Sequence, residues 1–512
     1  MAIHVGNAAT LRVLWYGITV FLSSAIVLVL EIVAARLIAP FVGVSLYTWT
    51  SIIGVILAGL SLGNWLGGRR ADRGGGDTTV GIVLGAGSAF ALASLFILGF
   101  LAPVLESIHL DLLTTSFLFV LAMFFVPSVL LGVVTPLLTT LALQLDVRTG
   151  HIVGRMHALA ALGSILGTFL TGYLLVQFFG VRTIILGSAV CLLLLAVPFL
   201  HSTPRRVPVF VFILFATVAV ITYSRDGFVS SCDRESNYYC LRVINDLNIP
   251  WIGRGKALVL DHLLHSMNAD DPTKLVSSYT QLMDELVRKY FGEKNKDTLN
   301  YFFAGGGGYA YPYFVTTTTP DADVTVAELD KTVTEVAQEK LGVDTTGMHI
   351  IHEDARTALQ QLDDTEFDVV ITDVFHDISV PYHLLTLEFA ESVKASLNPN
   401  GLYLMNVVDD YKNPQLIKSL LKTLRHTFPA VDVWSPKLKS DALRMTFVIS
   451  AAKHGLQPDV IHATTGPPRS WVRVTEKIQK QGPPLSELPM LTDDFVPAER
   501  LLTQLFVPSL GI

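Results

Sequence analysis

Seven apolar segments fill the first 223 residues of this chain and restrict its fold more than any other feature. They run near residues 13–38, 46–67, 80–102, 117–145, 155–178, 183–200 and 208–223. A helix needs about 20 apolar residues to cross the hydrocarbon core of a bilayer. Because every backbone group must be hydrogen-bonded internally in lipid, each span is expected to be helical. We predict a transmembrane domain of about seven α-helices over residues 1–223, with membrane lipid as its partner.

The composition changes after this domain. Residues 1–223 contain ten arginines, no lysine and six acidic residues, whereas the remainder contains 27 basic and 38 acidic residues. An acidic soluble part disfavours nucleic acid as a partner and suits a cationic substrate.

Short strands and helix-length segments alternate in the soluble part. We expect strands near 298–304, 322–329, 347–352, 367–373 and 401–407, with closing strands near 430–434 and 444–450. This alternation predicts an α/β fold of the Rossmann-like type over residues 296–512, with a largely parallel sheet. Residues 224–295 are predicted to form a substrate-side subdomain. Its elements are strands at Tyr238–Asn245 and Lys256–Asp261 and a helix at Pro272–Phe291.

Four glycines, Gly305–Gly308, follow the first strand of this series. A buried strand that ends in glycines is typical of a turn whose backbone lies against a ligand. The next strand ends at Glu328 and Asp330, where an open α/β sheet places carboxylates to accept hydrogen bonds from ribose hydroxyls. We therefore predict a nucleoside site formed by Gly305, Gly306, Gly307, Glu328 and Asp330. The alternative for the glycines alone is a flexible linker.

Further carboxylates follow the next two strands. Asp354 lies in the sequence HEDAR, and Asp373 and Asp377 lie in ITDVFHD. Ligands of such sheets bind beyond the carboxyl ends of the strands. An acidic pocket at that edge would hold both a hydroxyl-rich nucleoside and a cationic amine. The alternative is that these residues cap the following helices, which applies best to Asp354.

The chain has three cysteines, and their spacing predicts no metal site. Cys191 lies in an apolar run and is most simply a packing residue. Two free thiols are the simpler interpretation of Cys232 and Cys240. A disulfide across a hairpin is the alternative if this region faces an oxidising compartment.

Several spaced motifs resemble one family. They are ESNYYCLRV, LVLDHLLHSMNADDP, SSYTQL, FAGGGGYAYP, VAELD, HEDARTAL, ITDVFHDISVPYHLLTLEF, LNPNGLYLMNV and LTDDFVPAE, in this order. From about Glu235 onward, the chain resembles the spermidine synthases, which are polyamine aminopropyltransferases. The whole chain resembles their membrane-fused bacterial relatives, which implies a multi-pass protein of the bacterial inner membrane.

The resemblance also implies a function and residue roles. Decarboxylated S-adenosylmethionine would be a co-substrate, with no tightly bound cofactor, and would donate an aminopropyl group to a diamine such as putrescine to give spermidine. Glu328 would bind the ribose, and Asp354 with Ala355 the adenine. Asp373 would act on the attacking amine. The substrate side would comprise Asp261, His265, Tyr279 and Asp377, the last holding the distal ammonium. A homo-oligomer is also implied.

The chain departs from the family pattern at Gly308, where the family has an aspartate that helps to bind the amine of the donor, and at His265, where soluble members have a glutamine. Two alternatives therefore remain. One is a sensor or transporter whose synthase-like domain only binds polyamine or nucleoside; the other is an S-adenosylmethionine-dependent methyltransferase. Retention of Asp373 favours an enzyme, because a binding module needs no base there.

The arginines bear on the membrane side of the soluble domain. Positive residues are enriched in cytoplasmic loops. Arg12, the cluster Arg69, Arg70 and Arg73, Arg148 with Arg155, and Arg205 with Arg206 occupy alternate loops, as expected for a cytoplasmic N-terminus. Seven spans would then place the soluble domain outside, whereas a cytosolic nucleoside would favour the cytoplasm. The sequence leaves the side open.

Overall fold

The computed structural model describes residues 2–108, 110, 112–145, 148–201, 203–292, 298–362, 365–374, 381–437 and 444–502. The chain divides into two compact units, Met1–Ser231 and Cys232–Ile512.

The first unit is helical. Its helices are α1 (Ala2–Val42), α2 (Leu46–Asp72), α3 (Asp77–Ile108), α4 (Leu112–Leu143), α5 (Thr149–Leu170), a π-helical turn (Thr171–Leu175), α6 (Val176–Phe178), α7 (Val181–Leu200) and α8 (Arg206–Ser224). Among the described residues, seven helices are long and apolar enough to cross a membrane. The predicted transmembrane architecture is confirmed at this level, and it is compatible with a multi-pass membrane protein.

Glycines allow close helix packing in this unit. A Cβ atom at Gly163 or Gly167 of α5 would overlap the carbonyl oxygen of Phe21 or Ala25 of α1. The two backbones therefore touch at positions where only glycine fits, as is common between membrane helices.

The second unit begins with a four-stranded antiparallel sheet in the order β1-β2-β3-β4. Its strands are β1 (Arg234–Glu235), β2 (Cys240–Ile249), β3 (Gly253–Leu260) and β4 (Leu263–Ala269). A helix, α9 (Ser278–Phe291), follows. It starts later than predicted, because Ser277 is its N-cap residue and Pro272 lies in the preceding turn.

Cys232 and Cys240 form a disulfide, with their Cα atoms 5.3 Å apart. The preference for free thiols was therefore wrong. The reason is the hairpin of β1 and β2, which pairs Glu235 with Cys240 and brings the preceding residues alongside β2.

The larger sheet has nine strands in the order β12-β13-β10-β11-β9-β8-β5-β6-β7. They are β5 (Asn300–Ala304), β6 (Asp323–Ala327), β7 (His349–Ile351), β8 (Phe367–Thr372), β9 (Leu397–Asp410), β10 (Ala430–Pro436), β11 (Arg444–Ala452), β12 (Val460–His462) and β13 (Ser470–Arg473). β5 to β9 are parallel, whereas β10 to β13 pair antiparallel. The predicted Rossmann-like α/β fold is confirmed, and β12 and β13 were missed because they are short.

Helices connect and cover these strands. They are α10 (Ala310–Thr318), α11 (Lys331–Val336) with a π-helical turn (Ala337–Leu341), α12 (Ala355–Gln361), a 3₁₀ turn (Tyr382–Leu384), α13 (Leu387–Ser396), α14 (Gln415–Thr427), α15 (Thr475–Lys480) and α16 (Ala498–Leu501). One apolar core joins α9, α10 and the strands of both sheets, so the small sheet is fixed against the glycine-containing edge of the large one.

Candidate active site

The candidate site lies at the carboxyl ends of β5 to β8. β6 and β7 extend from one side of β5, and β8 and β9 from the other. The direction of chain progression therefore reverses between β5 and β8, and ligands of open α/β sheets bind at such a switch point. Gly305, Glu328 and Asp373 each follow their strand directly, and Asp354 comes shortly after β7.

Gly305 shows why the first loop position must be glycine. Its φ is +94°, and a Cβ atom there would lie 2.5 Å from the carbonyl oxygen of Asp373. The loop therefore passes directly over the end of β8. A side chain would push the loop away from Asp373.

Glu328 holds the glycine loop through the backbone. Its Oε2 accepts hydrogen bonds from Gly306 N at 2.9 Å and Gly307 N at 3.3 Å. Its Oε1 accepts from Asp330 N at 2.9 Å. Burial raises the pKa of Glu328, and these N–H groups oppose the rise only in part. One carboxylate thus connects the ends of β5 and β6.

Tyr309 holds the same loop from its buried side, through a contact with α11. It adopts a left-handed backbone with φ of +56°, and its side chain is fully buried. Its hydroxyl lies 2.7 Å from Thr334 Oγ1 of α11, and its ring packs so closely that a Cβ atom at Gly306 would touch it. Tyr309 is therefore a structural support of the loop.

Asp373 is held on both carboxylate oxygens. Tyr279 Oη donates to Oδ2 at 2.9 Å, and Asn406 Nδ2 donates to Oδ1 at 2.8 Å. Burial raises the pKa of Asp373, and the hydrogen bonds from Asn406 and Tyr279 lower it by less. A carboxylate has about four acceptor positions, so both oxygens can still accept a proton from a ligand. This arrangement fits a general base.

Asp354 caps a helix and also contacts a histidine. Its Oδ1 accepts from Arg356 N at 3.0 Å and Thr357 N at 3.2 Å, and His383 Nε2 lies 2.7 Å from Oδ2. Burial raises the pKa of Asp354, but the hydrogen bond and charge of His383 and the two N–H groups outweigh it, so the net pKa is lowered. The capping interpretation is thus confirmed. Asp354 also lines one of the cavities described below.

Three neighbouring cavities surround these residues. The glutamate cavity is lined by Tyr239, Gly305, Glu328, Asp354, Ala355 and Asp373, among others. The glycine cavity is lined by Ser266, Tyr279, Gly305–Gly308 and Asp373. The tryptophan cavity, of about 260 Å³, is lined by Leu264, Met267, Leu282, Thr446, Val448 and Trp471 with several hydroxyl residues. His265 borders all three cavities, and Tyr279 borders the glycine and tryptophan cavities.

Most predicted site residues come together here. The residues that border a cavity are Gly305, Gly306, Gly307, Glu328, Asp354, Ala355, Asp373, His265 and Tyr279. Their assignment to cofactor, substrate or proton transfer stays a prediction.

Two predicted site residues lie elsewhere. Asp330 accepts from Thr332 N as the N-cap of α11 and from Ser236 Oγ. Asp261 is buried and accepts from Cys240 N at 2.9 Å. Neither lines the three cavities, because the Asp261 carboxylate is directed to a backbone N–H group and the Asp330 carboxylate to Thr332 N and Ser236 Oγ. Asp377 lies outside the described residues.

The residues that sequence reasoning missed include Asn406, His383 and Trp471. Asn406 stands as the one polar residue in the apolar run LYLMNVV, a signal that could have identified it. Trp471 and His383 are far along the chain from their partners, and nothing in their local sequence indicates the contact.

Comparisons with known proteins relate part of the second unit to the spermine/spermidine synthases. Residues 310–457 match the spermine/spermidine synthase domain. A probable polyamine aminopropyl transferase from Bifidobacterium longum (strain NCC 2705) is 24% identical over 202 residues, which are 36% of this chain and 44% of that protein. An eEF1A lysine and N-terminal methyltransferase homolog from Drosophila melanogaster is 27% identical over 159 residues, 29% of this chain and 23% of that protein. The chain thus spans less than half the length of either relative.

Solved structures also resemble this chain. A probable spermidine synthase from Corynebacterium glutamicum ATCC 13032 aligns with a TM-score of 0.40 and 19% identity, covering 48% of this chain and 93% of that one.

Proposed function

We propose that this chain, whose C-terminal part carries a spermine/spermidine synthase domain, is a membrane-anchored aminopropyltransferase. It would transfer the aminopropyl group of decarboxylated S-adenosylmethionine to an amine. The resemblance in sequence implies a diamine such as putrescine as this amine, with spermidine as the product.

The observation that carries the proposal is the position of Asp373. Its carboxylate lies at the switch point, borders both the glutamate and glycine cavities, and is oriented by Tyr279 and Asn406. A base at this place can meet an amine on one side and a nucleoside held by the glycine loop on the other.

The reaction needs little from the protein besides orientation and one proton acceptor. The amine lone pair forms a new C–N bond, the C–S bond breaks, and the sulfonium becomes a neutral thioether that leaves as 5′-methylthioadenosine. An aliphatic amine has a pKa near 10, like lysine, and is protonated at neutral pH. Asp373 would accept the proton, and its raised pKa brings the base closer to the operating pH.

The glutamate cavity would hold the nucleoside. Glu328 already binds three backbone N–H groups, so one acceptor position remains for a ribose hydroxyl. Asp354 and Ala355, at the start of α12, would contact the adenine ring of the donor. These roles rest on the match to the family and on their shared cavity.

Methyl transfer from ordinary S-adenosylmethionine is a second candidate, favoured by the region around Gly308. A Cβ atom there would lie 2.5 Å from Ser266 Oγ and 2.7 Å from Asn268 Oδ1, and Asn268 Nδ2 donates to Gly308 O at 2.6 Å. The neutral side chains of Ser266 and Asn268 fill this position. A carboxylate here would instead favour the decarboxylated donor, whose tail carries an ammonium and no carboxylate. A donor tail that carries both an ammonium and a carboxylate needs no such counter-charge.

The location we propose is the bacterial inner membrane, with Cys232–Ile512 on the extracytoplasmic side. The arginine distribution favours a cytoplasmic N-terminus, and an odd number of spans reverses the side. The disulfide between Cys232 and Cys240 is independent support, because disulfides persist in oxidising compartments. The donor would then have to be supplied on that side. A homo-oligomer stays a prediction.

Incubation of the purified full-length protein with each donor and a panel of amines tests the function. We expect 5′-methylthioadenosine and an aminopropylated amine from the decarboxylated donor. Formation of S-adenosylhomocysteine from the ordinary donor would support methyl transfer instead. Consumption of neither donor with any amine would refute both candidates.

A further inference from the structure

The disulfide between Cys232 and Cys240 closes a short segment that reaches the candidate site. We call residues 232–240 the disulfide segment. Tyr239, the neighbour of Cys240 in the chain, lines the glutamate cavity together with Glu328. The disulfide therefore lies one residue away from the wall of the proposed nucleoside site.

Tyr239 lies beside two other residues of the site. Its ring centroid is 6.4 Å from that of His265, which borders all three cavities. Burial raises the pKa of Tyr239, and the negative charge of Glu328 raises it further, so these two side chains are close to each other. A displacement of Tyr239 would therefore open the wall of the glutamate cavity next to both neighbours.

Short β-pairing holds the disulfide segment against β2. β1 has two residues and pairs with Leu241 and Cys240. Asp233 N donates to Leu241 O at 2.8 Å, and the turn is closed by Ser236 N, which donates to Tyr239 O at 2.9 Å. A hairpin of this length has little stability of its own. The disulfide is therefore a major constraint on the segment, because it excludes the open conformations of the reduced chain.

Ion pairs of the disulfide segment with the region of α11 add little to this constraint. Arg234 lies 3.2 Å from Glu335 and 3.3 Å from Glu339, and Asp233 lies 2.7 Å from Lys340. The side chains of all five residues are more than a third exposed. Exposed pairs of this kind contribute about 0–1 kcal/mol.

Ser236 connects the disulfide segment to the carboxylates of the site. Its Oγ accepts hydrogen bonds from Tyr238 N at 3.1 Å and Tyr239 N at 3.0 Å, and it donates to Asp330 Oδ2. Asp330 N in turn donates to Glu328 Oε1 at 2.9 Å. The backbone of Tyr239 is thus coupled to the carboxylate that holds the glycine loop.

We propose that the disulfide is a positioning device for the donor site, which binds its nucleoside tightly only when Cys232 and Cys240 are joined. This inference rests on the proposed function, in which the glutamate cavity holds the donor. In the reduced protein, nucleoside binding also has to order the disulfide segment, and this ordering lowers the affinity.

Oxidation of the two thiols releases two protons and two electrons. A disulfide of the oxidising compartment accepts them and becomes a dithiol. Since the cytoplasm keeps thiols reduced, the chain would have low donor affinity there. The donor site would be completed only after the second unit has reached an oxidising compartment.

Calorimetric titration of the full-length protein with 5′-methylthioadenosine tests the proposal, because this nucleoside binds without turnover. We expect its Kd to rise about tenfold when dithiothreitol reduces the disulfide, and to return when oxidised glutathione restores the bond. The double variant Cys232→Ser, Cys240→Ser should show the raised Kd and no response to dithiothreitol. Cys191→Ser is the matched control and should respond as the unmodified chain does.

Kinetics separate positioning from a general loss of structure. Reduction should raise KM for the donor by the same factor as Kd, whereas kcat at saturating donor and KM for the amine should stay within about twofold. Ser236→Ala in the oxidised protein keeps the disulfide and releases Tyr239, so it should raise Kd by about threefold or more. This variant also tests the proposal if circular dichroism shows that reduction unfolds the second unit.

Equal affinity of the oxidised and reduced forms would overturn the inference and leave the proposed function intact. Unchanged Kd in Ser236→Ala would likewise show that the disulfide segment does not determine donor affinity. If neither form binds the nucleoside, the proposed function fails and the inference fails with it.

Discussion

Replacement of Tyr279 by phenylalanine tests whether the acidity of Asp373 is set by its two hydrogen-bond donors. The change removes the hydroxyl that donates to Asp373 Oδ2 at 2.9 Å and keeps the ring. Burial raises the pKa of Asp373, whereas the donors lower it. Loss of one donor therefore raises the pKa further. A hydrogen bond to a charged group contributes about 1.5–3 kcal/mol, and one pKa unit corresponds to about 1.4 kcal/mol.

The acidic limb of the profile of kcat/KM against pH should therefore move upward by roughly 1–2 pH units. In the proposed function, the activity needs the ionised carboxylate of Asp373, which is lost at a higher pH in the variant. The same amine and donor are used throughout, so their own ionisation cancels in the comparison. Tyr403→Phe is the control, because the Tyr403 hydroxyl contacts Thr372 Oγ1 at 3.1 Å, beside Asp373 in the chain. A limb that stays in place in Tyr279→Phe, or moves equally in both variants, would refute the reasoning.

Four further outcomes are expected. Asp373→Asn should lower kcat by about 10²–10⁴ while donor affinity by calorimetry stays within a few-fold; unchanged turnover would exclude Asp373 as the base. Glu328→Gln should weaken donor binding about tenfold or more, and full affinity would exclude its ribose role. In intact cells, an impermeant maleimide should label Cys232 and Cys240 only after reduction, and labelling only after lysis would place them inside. Burial raises the pKa of Asp409 from 3.8 to about 8, so its stabilising contribution is present below pH 3.8 and is lost as the pH rises through about 8. We expect Tm to fall over that window and Asp409→Asn to flatten the fall, whereas an equally steep fall in the variant would contradict the shift.

The parts of the fold that sequence predicts best are those where a local pattern repeats. The apolar spans and the parallel strands each satisfy length and periodicity rules over many residues, and they appear where expected. Position at a strand end then brings Gly305, Glu328, Asp354 and Asp373 to one edge without any knowledge of side-chain contacts.

The remaining features depend on contacts that local sequence does not encode. Asp330 satisfies the same strand-end pattern as the other acids, and the family resemblance implied Asp261, yet each carboxylate accepts a hydrogen bond from a backbone N–H group. Trp471 reaches the site because the antiparallel strands after β9 bring it to Ser278 of α9.

The pairing of β8 with β9 has a consequence for which sequence changes this fold can accept. Thr372 pairs with Met405, so Asp373 and Asn406 are the next residues on each strand. The register of β8 and β9 therefore determines that Asn406 lies opposite Asp373. Insertion or deletion of one residue between Leu402 and Asn406 would place Met405 or Val407 opposite Asp373 and turn the amide to the other face. We therefore expect related chains to vary in length outside this stretch, and the surroundings of Asp373 to change by substitution rather than by insertion or deletion.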